Sequence, residues 1–271
     1  MSKPDRIDVR GIDPERIALL LDVDGTLAPI VDDPSDSSVP LEVRRTLVAL
    51  ARRLGLVCCV SGRSADDARR VVGVAAITYI GCHGSELLEP GMPSTESDPR
   101  MDLWTDPVDD VAIEAMRELS GLGVRREQKG AIAALHWRGA SDETAAFEGL
   151  ERIAAIATER GLVTHWGRKV LELRPPVPFD KGRAIESLLT SRADSGSNLE
   201  MSVYVGDDLT DIDAFDSIRR LVEAGICRSG VCIGVLSDET PDGLEDASDM
   251  TVDGPEGVEL LLEDIRGSTD A

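Results

Sequence analysis

The sequence predicts an α/β protein with a largely parallel sheet, interrupted by a small inserted α+β unit. Three observations predict it. Short apolar runs without polar alternation (Ile17–Leu21, Leu56–Val60, Ser202–Val205) have the length and composition of strands buried on both faces. Helical periodicities separate these runs, giving strand–helix–strand–helix–strand order. The pattern then breaks over a proline-rich stretch and resumes at Lys181.

Residues 1–16 read as a loose lead-in. The first strand ends at Asp22, and Ala28 to Pro40 is a Pro-, Asp- and Ser-rich loop. Leu41, Val43, Leu47, Leu50 and Leu54 have near-helical spacing, with Gly55 as the C-terminal stop. The second strand ends at Ser61-Gly62-Arg63-Ser64 and a helix of about ten residues follows. Ile77 to Ile80 is a third strand, leading into Gly81-Cys82-His83-Gly84-Ser85-Glu86. Glu89 to Pro107 reads as loop. Asp109–Leu122 is a helix, Gly130–Trp137 a strand and Asp142–Arg160 a long helix. Val163–Trp166 and Lys169–Leu173 form a hairpin candidate turning at Gly167-Arg168. These elements place an inserted domain at 106–177, between core segments 1–105 and 178–271. After it come a helix from Lys181, a strand ending in Gly206-Asp207-Asp208-Leu209-Thr210-Asp211, a helix to about Ala224, a strand over Val231–Val235, a shorter one near Met250–Val252 and a final helix.

Composition narrows the function. A net charge of −22 argues against nucleic acid, since phosphate contacts need Lys and Arg. The acidic, lysine-poor surface fits adaptation to high salt or the bias of a GC-rich genome equally well. Only Lys3, Lys129, Lys169 and Lys181 are lysines, so each one retained in a motif-like stretch draws interest. The five cysteines form no CxxC pair and read as small hydrophobes rather than zinc ligands or a disulfide framework. No run nears the roughly 20 apolar residues of a membrane span. The first residues lack an apolar signal region, so a cytoplasmic location is expected.

Asp22 and Asp24 follow a buried strand, as do Asp207, Asp208 and Asp211. Parallel strands present such ends at one sheet edge, so these acids converge there. Gathered carboxylates repel one another unless a cation sits among them, and all-oxygen donors favour Mg²⁺ over zinc. Asp211 is equally explained as an acid at a helix N-terminus. A carboxylate beside Mg²⁺ can attack phosphorus, and an acid two residues on can protonate the leaving oxygen and then activate water. Ser61 can donate to the transferring phosphoryl group, and Lys181 can neutralise it.

Asp22-Val23-Asp24-Gly25-Thr26, Ser61, Lys181 and Gly206-Asp207-Asp208 resemble the four ordered motifs of the haloacid dehalogenase superfamily of phosphatases. Further stretches resemble the trehalose-6-phosphate phosphatase family: Ser61-Gly62-Arg63, Gly81 to Glu86, Lys129 with His136-Trp137-Arg138, Lys169 to Pro175 and Gly206 to Phe215. The resemblance implies a Rossmannoid, haloacid dehalogenase-like core with a C2-type cap domain that sets substrate specificity. It implies Asp22 as nucleophile, Asp24 as general acid/base, and Ser61 and Lys181 as phosphoryl-binding groups. Asp22, the Asp24 carbonyl and Asp207 would ligate Mg²⁺, with Asp208 close by. Arg63, His83 and Glu86 would contact sugar from the core. Lys129, His136, Arg138, Lys169 and Glu172 would do so from the cap.

The implied activity is hydrolysis of trehalose 6-phosphate through an aspartyl phosphate, alongside a trehalose-phosphate synthase and without membrane or nucleic-acid partners. Glucosylglycerol phosphate or sucrose phosphate are the alternative substrates, and a non-catalytic synthase partner is the remote alternative. Cys82 and Ile212 depart from the residues usual at their places (Asn and Glu). Trp137 reads equally as cap core, and Arg63 also as the cap of a turn.

Overall fold

The computed structural model describes residues 7, 9, 11–31, 33–167 and 169–269. They form two compact units, one from residues up to 96 together with 179 onward, the other from 97–178. The second unit thus starts earlier than 106, because Pro99–Asp102 and Thr105–Leu119 are already helical within it.

The first unit opens with β1 (Ile17–Leu21), α1 (Leu41–Ala51), β2 (Leu56–Val60), α2 (Ala65–Val72), β3 (Thr78–Gly81), β4 (Glu86–Leu88) and β5 (Glu96–Ser97). The second unit holds α3 (Pro99–Asp102), α4 (Thr105–Leu119), β6 (Arg125–Lys129), β7 (Ile132–His136), α5 (Glu143–Glu159), β8 (Val163–Gly167) and β9 (Val170–Arg174). The first unit then resumes with α6 (Lys181–Asp194), β10 (Met201–Gly206), α7 (Leu209–Glu223), β11 (Ser229–Leu236), α8 (Leu244–Ala247), β12 (Met250–Asp253) and α9 (Gly254–Thr269).

The first unit's sheet runs β12-β11-β10-β1-β2-β3-β4-β5. The strands from β12 to β3 pair in parallel, and β4 returns antiparallel to β3. β1 is central because it is flanked on both sides, by Val203–Val205 of β10 and by Val57–Cys59 of β2. Every residue of β1 is at most 1% exposed, and each Leu so buried contributes about 1.5–3 kcal/mol. Alternation splits this strand between two cores. Leu19 and Leu21 face α1 and α9, while Ala18 and Leu20 face α6 and α7. Thus helices cover both faces of the parallel sheet, as its unbroken apolar runs require.

The lead-in is not loose throughout. Ile7 and Val9 are buried in the α1/α9 core, and Pro14–Arg16 forms a 3₁₀ turn capped by Asp13. All five cysteines are buried. Among the described residues no helix is long and apolar enough to cross a membrane.

The second unit is an antiparallel sheet, β6-β7-β9-β8, with α4 and α5 on one face. β6 went unread in the sequence: its residues, Arg-Arg-Glu-Gln-Lys, carry no apolar signal. It is held by backbone pairing along β7, from Arg125↔His136 to Lys129↔Ile132. β8 and β9 confirm the expected strand pair; Arg168 in their turn lies outside the described residues. Ala133, Leu135, Trp137, Leu171 and Leu173 alternate onto the helices. The other sheet face is left for polar groups.

Candidate active site

The carboxylate cluster is assembled at the C-terminal ends of β1 and β10, which are neighbours in the sheet. The backbone N–H of Asp22 donates to Val205 O at 2.9 Å, locking the two strand ends together. Carboxylate oxygens of Asp22, Asp207 and Asp211 lie within 4.8 Å of one another. Lys181, at the first position of α6, crosses to them. Its Nζ donates to Asp22 Oδ1 and to Asp211 Oδ1, both at 2.7 Å.

Asp211 is the hub. Its Oδ1 also accepts from the Tyr204 hydroxyl at 2.7 Å, and its Oδ2 accepts from the backbone N–H groups of Asp207 and Asp208, both at 2.9 Å. All four bonds lie at a side chain with no exposed surface. Its oxygens are therefore spent on positioning, which leaves Asp22 and Asp207 as the carboxylates with capacity for a ligand.

Asp208 stands apart from the cluster. Its side chain is the N-cap of α7, accepting from the Leu209 N–H at 2.7 Å and completing a reciprocal capping box with Asp211. The sequence signal was present in the Asp-x-x-Asp spacing after a strand. It separates a capping acid at Asp208 from a hub at Asp211.

Burial pushes the Asp22 carboxyl well above the usual carboxylate range; Lys181 opposes this, while Asp211 and Asp207 reinforce it. Burial likewise raises Asp207 to about 6, helped by Asp211 and opposed by the Thr26 hydroxyl, which donates to its Oδ1 at 2.8 Å. Desolvation works against the Lys181 charge, but Asp211 and Asp22 outweigh it and hold the ammonium protonated above its ordinary range. One cation thus faces three acids, two of them, Asp22 and Asp211, buried and Asp207 half-buried. That unbalanced negative charge, all-oxygen donors and raised carboxyls fit a hard divalent cation, which needs few protein oxygens when water completes its shell.

The turn after β1 brings Thr26 to Asp207. The Leu27 and Ala28 N–H groups both bond Val23 O, and the Gly25 N–H bonds Ala28 O. Gly25 has φ +88°, and a Cβ there would lie 2.1 Å from Asp207 Oδ2. No other residue fits, on conformation and on space.

Asp24 is held by a different network. Arg63 donates to both its oxygens, Nε to Oδ2 at 2.6 Å and Nη2 to Oδ1 at 2.8 Å, and Ser37 Oγ bonds Oδ1 at 3.2 Å. Asp67 grips the same guanidinium at 2.7 Å. Arg63 therefore binds carboxylates on both sides. Asp67 is a participant that nothing in the sequence pattern singled out beyond its i+4 spacing from Arg63.

Ser61 is buried at the end of β2, its Oγ accepting from the Arg63 N–H at 3.1 Å. His83 sits in left-handed conformation (φ 54°) with its ring against Gly62, where a Cβ would lie 2.7 Å from the imidazole Cε1. Glu86 is buried beneath α2, where its Oε2 accepts from the Ala65 N–H at 2.8 Å. It works there as a helix N-terminal anion.

In the second unit, Lys129, His136 and Glu172 share the sheet face away from the helices. Glu172 is buried between Lys129 (3.4 Å) and Arg174, whose Nε donates to Oε2 at 2.8 Å. His136 meets Glu127 at 2.8 Å. Lys169 and Arg138 are exposed; Lys169 is paired with Glu143 of α5 at 2.7 Å. Trp137 belongs to the helix-side core.

A model of the trehalose-phosphatase family matches residues 20–248. The chain belongs to that family. It is 32% identical over 238 residues to the probable trehalose-phosphate phosphatase D of Arabidopsis thaliana, covering 84% of this chain and 61% of that relative. It is 36% identical over 204 residues to the trehalose-phosphate phosphatase of Mycolicibacterium paratuberculosis, covering 74% and 51%. The chain thus spans only half to three fifths of the length of these relatives.

Among solved structures, it is similar to a trehalose-6-phosphate phosphatase related protein, with TM-score 0.71, 24% identity and coverage of 93% of this chain and 97% of that one. It is also similar to the C-terminal domain of the C. albicans trehalose-6-phosphate phosphatase, with TM-score 0.72, 21% identity and coverage of 93% of each. These likenesses bear out the expected haloacid dehalogenase-like α/β fold.

Proposed function

We propose that this chain is a Mg²⁺-dependent phosphatase that hydrolyses trehalose 6-phosphate to trehalose and phosphate in the cytoplasm, consuming the product of a trehalose-phosphate synthase. The observation that carries the chemistry is the Lys181 ammonium fixed between Asp22 and Asp211, with Asp207 beside them. Asp22 attacks phosphorus and becomes the aspartyl phosphate. Asp24 protonates the departing sugar oxygen, then takes a proton from the water that opens the intermediate. Lys181 and the Ser61 hydroxyl neutralise the equatorial phosphoryl oxygens. Asp22, the Asp24 carbonyl and Asp207 would hold Mg²⁺, which would supply Lewis-acid charge for the phosphoryl group. Asp208 serves this set through its backbone and its cap on α7.

We assign sugar discrimination to the second unit, through Lys129, His136 and Glu172 on its polar sheet face, with Arg138 and Lys169 at the end of that sheet. Arg63, His83 and Glu86 form the corresponding support in the first unit. Support for the ester comes from the family and from the cationic and anionic groups together on that face. Phosphate release from a panel of trehalose, sucrose and glucosylglycerol phosphates tests the reading. Trehalose 6-phosphate should be preferred by at least about tenfold, a difference of ~1.4 kcal/mol in transition-state binding. Equal turnover of the panel, or an Asp22→Asn chain as active as the parent, refutes it.

A further inference from the structure

Aromatic residues are scarce in this chain: three tryptophans, three phenylalanines and two tyrosines in 271 residues. Three of them nonetheless meet at one place in the second unit, remote in chemistry from the polar sheet face. The rings of Trp137, Phe147 and Trp166 have centroids 5.3–5.8 Å apart and interplanar angles of 50°, 52° and 78°. Trp137 is the buried floor, whereas Phe147 and Trp166 each keep 39% of their surface open. With Glu151, Ala154 and Gly167 they line a groove of about 450 Å³ between α5 and β8, the strand at the end of its sheet. Phe147, Glu151 and Ala154 follow one another at helical spacing, so they form one stripe of α5.

The chemistry of this groove selects its ligand. Flat ring platforms suit sugars, but a sugar brings several hydroxyls, each needing a partner, and among the described residues of the lining Glu151 is the one charged side chain, with the indole N–H groups of Trp137 and Trp166 as the other polar atoms. Hard metal ions want oxygen donors in number, which the groove lacks. Primary ammonium and guanidinium groups bring N–H donors that aromatic faces do not saturate. A quaternary ammonium has no N–H to satisfy. Its positive charge is spread over methyl groups that fit against tilted ring faces, and one carboxylate balances it. The net charge of −22 also concentrates cations around the molecule. We propose that the Trp137–Phe147–Trp166 cup with Glu151 is a binding site for a small quaternary-ammonium ion of the choline type.

The test is a titration of the full chain with choline chloride, followed by tryptophan emission. Sodium chloride at equal ionic strength and 3,3-dimethylbutan-1-ol, the neutral carbon isostere of choline, serve as controls. Choline should give a saturable change with a midpoint on the order of 1–10 mM, and the isostere should bind at least about tenfold more weakly. Trp166→Ala should weaken choline binding by about tenfold, and Glu151→Gln by a few-fold. Should Trp166→Ala fail to fold by circular dichroism, Phe147→Leu keeps the apolar bulk and removes one ring face, and it too should weaken binding. The proposal is overturned if sodium chloride reproduces the change, if the isostere binds as well as choline, if Phe147→Leu binds choline like the parent, or if glucose or trehalose saturates the groove more tightly than choline.

Discussion

Replacing Asp211 by Asn separates the positioning role of this residue from charge in general. The amide is the same shape, so no cavity opens. Yet each carboxylate oxygen of Asp211 faces two donors: Lys181 and Tyr204 at Oδ1, the Asp207 and Asp208 N–H groups at Oδ2. Either orientation of the amide therefore turns an NH₂ toward donors. With the NH₂ at Oδ1, Tyr204 can rotate and accept but Lys181 cannot; with it at Oδ2, two backbone donors lose their acceptor. Losing one or two bonds to a charged group costs about 1.5–3 kcal/mol each, and removing one partner of a buried pair about 3–5 kcal/mol. Relief of repulsion with Asp22 and Asp207 returns part of that.

A net loss of about 3 kcal/mol is expected in the metal-free chain. That corresponds to a fall of roughly 6–12 °C in the unfolding midpoint of a unit this size. The assay must report on the first unit. Trp104, Trp137 and Trp166 all lie in the second, so tryptophan emission reports there. Amide exchange in β1 and β10, in a urea series, reads the right place. A loss below about 1 kcal/mol would refute the view that Asp211 holds the site together.

Three further outcomes are expected. Gly25→Ala forces an L-residue into φ +88° and a Cβ onto Asp207, costing at least about 1–2 kcal/mol of backbone strain, and Mg²⁺ should protect this variant from heat less than it protects the parent. The folded pKa of Asp207, near 6, lies above its unfolded value of 3.8, so the folded state holds the proton more tightly between these values. The metal-free parent should therefore lose stability relative to Asp207→Asn as pH rises through 6, and thermal protection by Mg²⁺ should grow over the same range, since the metal displaces that proton; a pH-independent difference in urea midpoints contradicts this. Glu172→Gln, which removes the carboxylate charge facing Lys129 and Arg174, should raise the KM for trehalose 6-phosphate several-fold with a smaller change in kcat, and an unchanged KM would remove that sheet face from sugar recognition.

What could be read in the sequence divides along physical lines. β1, β2 and β10 declare themselves because a strand buried on both faces must be apolar throughout, and the acids after β1 and β10 stand out against such runs. β6 has no such signature, because its exposed residues contribute mainly a ladder of backbone bonds. Ile7 and Val9 were hidden for the opposite reason: two isolated apolar residues have no period, though the core covers both. The separation of Asp208 from Asp211 depends on the φ/ψ of a helix N-cap, which decides which neighbouring carboxylate turns inward. The pairing of Arg63 with Asp24 joins two strand ends across the sheet, a contact no local pattern encodes.

The position of β1 between β2 and β10 also dictates an order of events as the chain is made. Asp22 leaves the ribosome long before Asp207, with the whole second unit synthesised between them. Until β10 arrives, one edge of β1 has no hydrogen-bonding neighbour, and the nascent chain presents an apolar strand edge open to any other strand. The insertion lengthens the loop that must close, but closure entropy grows only logarithmically with length, and a unit that folds on its own shortens the effective loop. The penalty falls on timing rather than on stability, because the stretch that follows the second unit completes both the sheet and the reacting centre.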